Sequence, residues 1–463
     1  DWFEMSAGTV QAAVGLEYRN NSLDFNPYEG AIIDPGAGYT CGISSELCTA
    51  PTSGEVTVKE IYGEALFPLT DTLTASLGTR WSDYSTFGST INSKLGLEWR
   101  PSDQILFRGT YAQVFRAPTI VDLYGGETAA SDGFTDPCNN LSAPGGGISS
   151  NPACENVRMF DSNLPAQDDP ALPNYNPRFS QSDTQLNAIK GGTESLQPEE
   201  GESITVGFVY EPEWAEGFST TVDFWQVNLD NAIGTIGTQN ILNICYGSTA
   251  AAPSPLCSLF SRRDSGEMEI LFDKRANKGK VETAGIDLGL RYRMDTDYGK
   301  FRFNVDATYT DKYDVDVIFD GVVLQSQQNA GTFLSSANGG NGNYSQWRAL
   351  GNISWSKDIY DISWNMRFVD GFTVGSLEPD GVCANRGLPA GSPGCQFAVG
   401  AYTYHNLQAG VTLDKVKLRI GIDNVNDKQP PILYQNNSLN GNTDERTYDT
   451  VGRYFWSSLT YSF

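Results

Sequence analysis

Eight cysteines fall into four neighbouring couples along the chain: Cys41 with Cys48, Cys138 with Cys154, Cys245 with Cys257, and Cys383 with Cys395. Metal-thiolate sites favour CxxC spacing with histidine partners, and these couples have neither, so their expected chemistry is disulfide formation in an oxidising compartment. Pairing inside each couple is the least demanding connectivity and makes four local staples. The chain has one histidine, His405, so histidine pairs for zinc or haem are absent within it and a Ser-His-Asp set would have to use this ring. His405 shares parity with Leu407, Ala409, Val411 and Leu413, beside Tyr402 and Tyr404, and that pattern fits a ring at a membrane interface. Adjacent carboxylates such as Glu199 and Glu200, or Asp168 and Asp169, read as loop charges rather than a glycosidase pair. The aspartates at 132, 136, 161, 314, 316 and 320 lack the DxDxDG spacing of a calcium loop. No metal site, cofactor or enzymatic activity is therefore assigned.

The elements that must hold these residues alternate with period two. Leu73, Ala75, Leu77, Thr79 and Trp81 oppose Thr72, Thr74, Ser76, Gly78 and Arg80. Ile91, Ser93, Leu95, Leu97 and Trp99 do the same against Asn92, Lys94, Gly96, Glu98 and Arg100. Such segments, about 9 to 11 residues long, match one crossing of a bilayer by a tilted strand. Only 39% of residues are hydrophobic, the mean hydropathy is -0.34, and no apolar run approaches the roughly 20 residues of a membrane helix. The expected fold class is all-β, a transmembrane antiparallel β-barrel, with about fourteen strands starting near residues 5, 55, 72, 89, 104, 202, 217, 281, 299, 344, 358, 399, 415 and 449. Aromatics at 12% and 48 glycines suit interfacial belts and tight turns.

The links between strands alternate in length. Short ones occur at 68 to 72, 101 to 104, 211 to 217, 294 to 299, 357 to 361 and 413 to 415. Long ones cover 20 to 54, 117 to 201, 231 to 280, 314 to 343, 373 to 398 and 427 to 448, with 85 to 89 the one brief exception. Outer-membrane barrels have short periplasmic turns and long outer loops, so the long links are expected outside. Every cysteine couple lies in a long link, which gives disulfide-clipped extracellular loops. Two loops stand out for ligand capture. The link from 117 to 201 is the longest, and TQNILNICYG (238 to 247) is expected to form a short helix over the barrel mouth. Tyr246 and Phe260 are the candidates there for stacking on a ligand ring.

Five segments together resemble the C-terminal half of a TonB-dependent outer-membrane receptor: FRAPTIVDLY (115 to 124), SLQPEEGESITVGFVYEP (195 to 212), TAGIDLGLRYR (283 to 293), DNVNDKQPP (423 to 431) and the terminal TVGRYFWSSLTYSF. The opening DWFEMSAGTVQAAVGLEYR resembles a mid-barrel strand of the same family. The resemblance implies a barrel of roughly twenty-two strands around an N-terminal plug, with the plug contacting TonB. Residues 1 to 463 are then expected to be the C-terminal barrel portion, without a plug, and the remaining strands and plug to come from a separate chain or a segment outside this one. The implied function is active, TonB-dependent uptake of a nutrient ligand of siderophore, saccharide or peptide class through the outer membrane of a Gram-negative bacterium. The implied partners are outer-membrane lipid, the plug portion with TonB, and the barrel-assembly machinery, which would read the terminal aromatics Tyr461 and Phe463. Lys94, Arg100, Arg108, Arg116, Arg291, Arg293, Arg302, Lys417 and Arg419 lie opposite the apolar row. Their simplest role is bonding to a plug and to carboxylates, and the sharper one, taken for Arg116, is guiding an anionic ligand. The net charge of -25 argues against nucleic acid as partner. Two other architectures fit the alternation: a self-contained fourteen-stranded passive channel, and a secreted β-rich glycan-binding protein.

Overall fold

The computed structural model describes residues 1–43, 48–138, 185–247, 254–263, 266–319, 322–334, 342–374, 398–433 and 443–463. The alternating segments become fourteen wall strands: β1 (Gln11–Phe25), β2 (Thr52–Thr70), β3 (Leu73–Tyr84), β4 (Gly88–Ser102), β5 (Ile105–Arg116), β6 (Glu199–Tyr210), β7 (Phe218–Asp230), β8 (Gly279–Thr296), β9 (Gly299–Phe319), β10 (Trp347–Lys357), β11 (Tyr360–Val369), β12 (Tyr402–Leu413), β13 (Val416–Asp423) and β14 (Tyr454–Tyr461). Each pairs antiparallel with the next in one continuous meander. A further strand, Val322–Gln328, folds back on the outer end of β9.

Two strand starts differ from the sequence reading. The first wall strand begins at Gln11, because Gly8, at φ +135°, turns the preceding residues into a separate hairpin of Glu4–Met5 with Gly8–Thr9. The last begins at Tyr454, because Gly452 adopts φ +77° and Asp427 Oδ1 accepts from Arg453 N at 2.9 Å, which holds the approach in a loop. The short turns carry the backbone chemistry they need: Asp358 and Asp414 sit at φ 50° and 48°, and Gly217 and Gly299 at 81° and 118°.

The outward row of the wall is apolar and bare. Val14 is 87% exposed, Leu16 80% and Leu459 72%. A water-soluble sheet does not present such a row on a full face, whereas hydrocarbon accepts it. Near the short-turn rim the row becomes a ring of aromatics, with centroids 5.5 Å apart for Trp99 and Phe107, 6.4 Å for Phe107 and Phe208, and 6.1 Å for Tyr292 and Phe303. Toward the outer rim, Tyr309 packs on Trp347 at 4.9 Å, and the His405 ring stacks on Trp364 at 5.5 Å. Among the described residues no helix is long and apolar enough to cross a membrane; the strands do the crossing. Among the described residues the fourteen strands do not close on themselves: β1 pairs with β2 alone and β14 with β13 alone.

Candidate ligand cap and lumen

Three long links converge above the mouth of the wall. Thr128–Gly133, Gln185–Lys190, Met268–Phe272 and Phe260–Arg262 form a four-stranded sheet, in which Met268–Phe272 runs parallel to Gln185–Lys190. The helix α2 (Thr238–Gly247) buries Ile241, Leu242, Cys245 and Tyr246, the spacing of one helical face. That face joins Phe134, Leu186, Leu256, Met268 and Leu271 in a single apolar core, so two separate links share one interior. A second cluster under the first long link unites Ile33, Cys48, Ala129 and Ile189. Disulfides staple both: Cys41 to Cys48 with Cα atoms 5.5 Å apart, and Cys245 to Cys257 at 5.0 Å.

Several charges in this cap are matched. Arg262 donates to both oxygens of Asp136, at 2.6 and 2.8 Å, and through Nε to Tyr246 Oη at 2.7 Å. Asp132 accepts from Lys190 at 2.9 Å and from Thr238 Oγ1 at 2.7 Å. Asp273 accepts from Ile236 N at 2.9 Å and Gly237 N at 3.2 Å, where free N–H groups precede α2. Burial pushes the Asp273 carboxyl above the ordinary aspartate value, and these backbone donors offset the rise only in part. Burial likewise pushes the Lys278 ammonium below its ordinary value.

Below the cap lies the base of the mouth, at the outer end of β5. Arg116 is bidentate on Glu199 at 2.6 and 2.8 Å, and its remaining nitrogen reaches Asp122 at 3.2 Å. Asp122 also caps the short helix α1 (Ile120–Tyr124), accepting from Thr119 N at 3.0 Å while Thr119 Oγ1 accepts from Asp122 N at 3.1 Å. Burial alone would raise the Asp122 carboxyl, but the Thr119 and Arg116 donors outweigh it and hold it below the usual range. Deeper on the concave face, Arg108 is bidentate on Asp223 at 2.8 and 2.5 Å, and Glu60 gathers Arg19, Arg80 and Ser82 at 3.1, 3.4 and 2.6 Å. A cleft of about 560 Å³ opens there, lined among others by Glu98, Arg108, Asp223 and Asp287.

The residues singled out from sequence take definite places. Tyr246 and Phe260 pack on one another at 5.8 Å inside the cap core, with Tyr246 only 9% exposed. Arg116 stands at the mouth with its side chain 44% exposed. Glu199 faces inward to Arg116, and the adjacent Glu200 takes the opposite face of β6, so the two do not act as a pair. Asp314 meets Lys312 at 3.5 Å and Asp316 meets Ser326 at 2.6 Å. Tyr461 and Phe463 pack edge to face at 5.3 Å on the short-turn rim. Cys138 is disulfide-bonded. Its expected partner Cys154, together with Cys383, Cys395, Asp161, Asp168, Asp169 and Asp320, lies outside the described residues. Sequence reasoning missed the Asp136–Arg262–Tyr246 and Asp132–Lys190–Thr238 knots, whose charged members sit in loop segments that are polar in sequence and carry no local sign of burial.

A membrane-spanning antiparallel wall with a polar concave face and a folded, stapled cap over one rim defines an outer-membrane β-barrel of receptor type. The chain belongs to the TonB dependent receptor-like β-barrel family, whose model matches residues 1–425. No curated protein sequence matches the chain. Among solved structures it is similar to the siderophore receptor PirA from Acinetobacter baumannii, at 16% identity and a TM-score of 0.56, covering 100% of this chain and 53% of that one. It is also similar to a mutant (Q482A) of the ferric enterobactin receptor PfeA from Pseudomonas aeruginosa in complex with enterobactin, at 14% identity, TM-score 0.58 and coverages of 100% and 53%. The FrpB iron transporter from Neisseria meningitidis matches at 14% identity, TM-score 0.52 and coverages of 99% and 53%. The chain thus spans about half the length of the structures it matches, and identities this low speak for the fold alone. Its wall belongs in the outer membrane of a Gram-negative cell.

Proposed function

We propose that residues 1 to 463 form a barrel portion of an outer-membrane receptor that takes up a scarce nutrient with energy supplied through TonB, and that the ligand is a metal chelate of the siderophore class. The observation that carries this reading is the folded cap. A cap with its own core, two described staples and a buried ion pair keeps a fixed shape above a polar lumen, as selective capture requires and passive leakage does not. The ligand class is supported by similarity in fold to receptors described as binding siderophores or ferric enterobactin. A plug and further wall strands complete the assembly, because β1 and β14 each keep one unpaired edge that hydrocarbon does not tolerate. In this scheme Arg116 meets the ligand as it leaves the cap, Tyr246 and Phe260 hold the cap in its capturing shape, and Tyr461 with Phe463 present the signal to the barrel-assembly machinery. No chemical step is involved.

The open sheet weighs against a self-contained fourteen-stranded channel, and the bare apolar row weighs against a secreted glycan-binding domain. The test is accumulation of iron-55 chelates by cells carrying the complete receptor. Accumulation is expected above the external concentration and is expected to collapse on adding a protonophore. Entry that only follows the external concentration and ignores the protonophore would refute energised uptake.

A further inference from the structure

The concave face of the wall divides by charge. Over β1 to β9 it is ionic, and carboxylates hold five of its cations: Arg19 and Arg80 on Glu60, Lys94 on Glu64, Arg108 on Asp223 and Arg291 on Asp306. Over β9 to β12 the wall changes character. Asn304, Asn352, Asn365 and Asn406 occupy one register row across four adjacent strands. Asn304 donates to Asn352 at 3.3 Å, Asn352 donates to Asn365 at 2.8 Å, and Asn406 Oδ1 accepts from Asn424 N at 2.8 Å. The next row toward the short turns is Arg302, Ser354, Ser363 and Gln408, where Gln408 donates to Ser363 Oγ at 2.7 Å.

A cleft of about 530 Å³ lies over this ladder. Its charged lining is Asp306, Asp423 and Asp449 against one cation, Arg367. That cation is engaged: it donates to Thr447 O at 2.6 Å and lies 4.6 Å from the Tyr404 ring centroid. An entering anion finds two carboxylates without an ion-pair partner among the described residues, Asp423 and Asp449, against the one guanidinium already turned to Thr447 and Tyr404, while Asp306 is taken up by Arg291, and a cleft lined with an excess of one sign concentrates that repulsion. A neutral ligand finds amides instead. Each asparagine carries two N–H donors and two oxygen lone pairs, and the ladder consumes only part of that capacity. Repeated weak sites favour passage, since each holds the ligand without trapping it.

We propose that the asparagine ladder is a binding track for uncharged ligands rich in carbonyl and hydroxyl groups. Resting on the uptake reading above, this makes the preferred ligand a neutral hydroxamate chelate of ferric iron rather than a trianionic catecholate chelate.

The experiment supplies cells carrying the complete receptor with iron-55 as a neutral ferric trihydroxamate or as a trianionic ferric tricatecholate, with receptor abundance in the outer membrane measured in parallel. The trihydroxamate should be favoured, and the double variant Asn352→Leu with Asn365→Leu should lower its uptake about tenfold at equal abundance, the loss of two or so hydrogen bonds. Asn365→Arg, which installs a free cation, should raise tricatecholate uptake relative to trihydroxamate. Equal uptake of both chelates, a preference for the trianion, or an equal loss of both in the leucine variant would overturn the charge preference while leaving energised uptake intact. Uptake of neither would overturn the uptake reading itself, and the preference with it.

Discussion

Arg262 and Asp136 show what single residues do in the cap. The Asp136 side chain is fully buried and Arg262 is its direct partner, so removing one leaves an uncompensated charge in an apolar core. Asp136→Ala is expected to destabilise the cap by roughly 3 to 5 kcal/mol, read as early proteolytic cleavage in the loops while the wall stays intact. Replacing both together with Asp136→Leu and Arg262→Met should recover much of that loss. Asp273 makes a prediction about pH. Its folded pKa is raised above the unfolded value of 3.8, so its contribution to cap stability is fully present below that value and is lost as pH rises through the raised folded value. Protease resistance of the cap should therefore gain relative to Asp273→Asn as pH falls from neutrality toward 4, the variant lacking the titration; the reverse trend would contradict the assignment. Neither role was legible in sequence, because an aspartate in a loop looks solvated until its partner, more than a hundred residues away for Asp136 and Arg262, is known.

At the scale of elements, α2 was readable and the sheet beside it was not. TQNILNICYG carries its apolar residues on one helical face, a signal local to ten residues. The strands Gln185–Lys190 and Met268–Phe272 pair in parallel from different links, and no local pattern predicts which link will meet which. The staple Cys245–Cys257 closes a short loop at the end of α2. Reducing it is expected to cost the cap on the order of 3 kcal/mol, visible as faster amide exchange in 238–247 with β5 to β8 unchanged. On the wall, Gly421 allows the Trp456 ring to lie across it: a Cβ there would meet ring atoms at 2.3 Å. Gly421→Val should displace the indole and shift tryptophan fluorescence, whereas Gly63→Val, whose Cβ would meet nothing closer than 3.7 Å, should not.

For the whole molecule the decisive fact is an open meander. Backbone groups on the free edges of β1 and β14 have no partners among the described residues, a state that water tolerates and hydrocarbon does not. In detergent, this chain alone should exchange the outward-edge amides of Gln11–Phe25 quickly, and the complete receptor in a bilayer should protect them. Equal protection in both would mean that the fourteen strands close on themselves.

The strand number, the two faces of each strand and the sorting of links into short and long were all determined by the sequence alone. They depend on period-two alternation and turn chemistry, which act over a few residues. The short hairpin before Gln11 and the late start of β14 escaped that reading because single glycines at positive φ interrupted otherwise plausible strands. Tertiary structure decided the rest. The asparagine ladder exists only because unbroken antiparallel pairing sets a common register across four adjacent strands, and the cap exists only because links far apart in sequence share one core. Both depend on contacts whose entropy cost is met by cooperative packing of the whole sheet, which no local stretch of residues encodes.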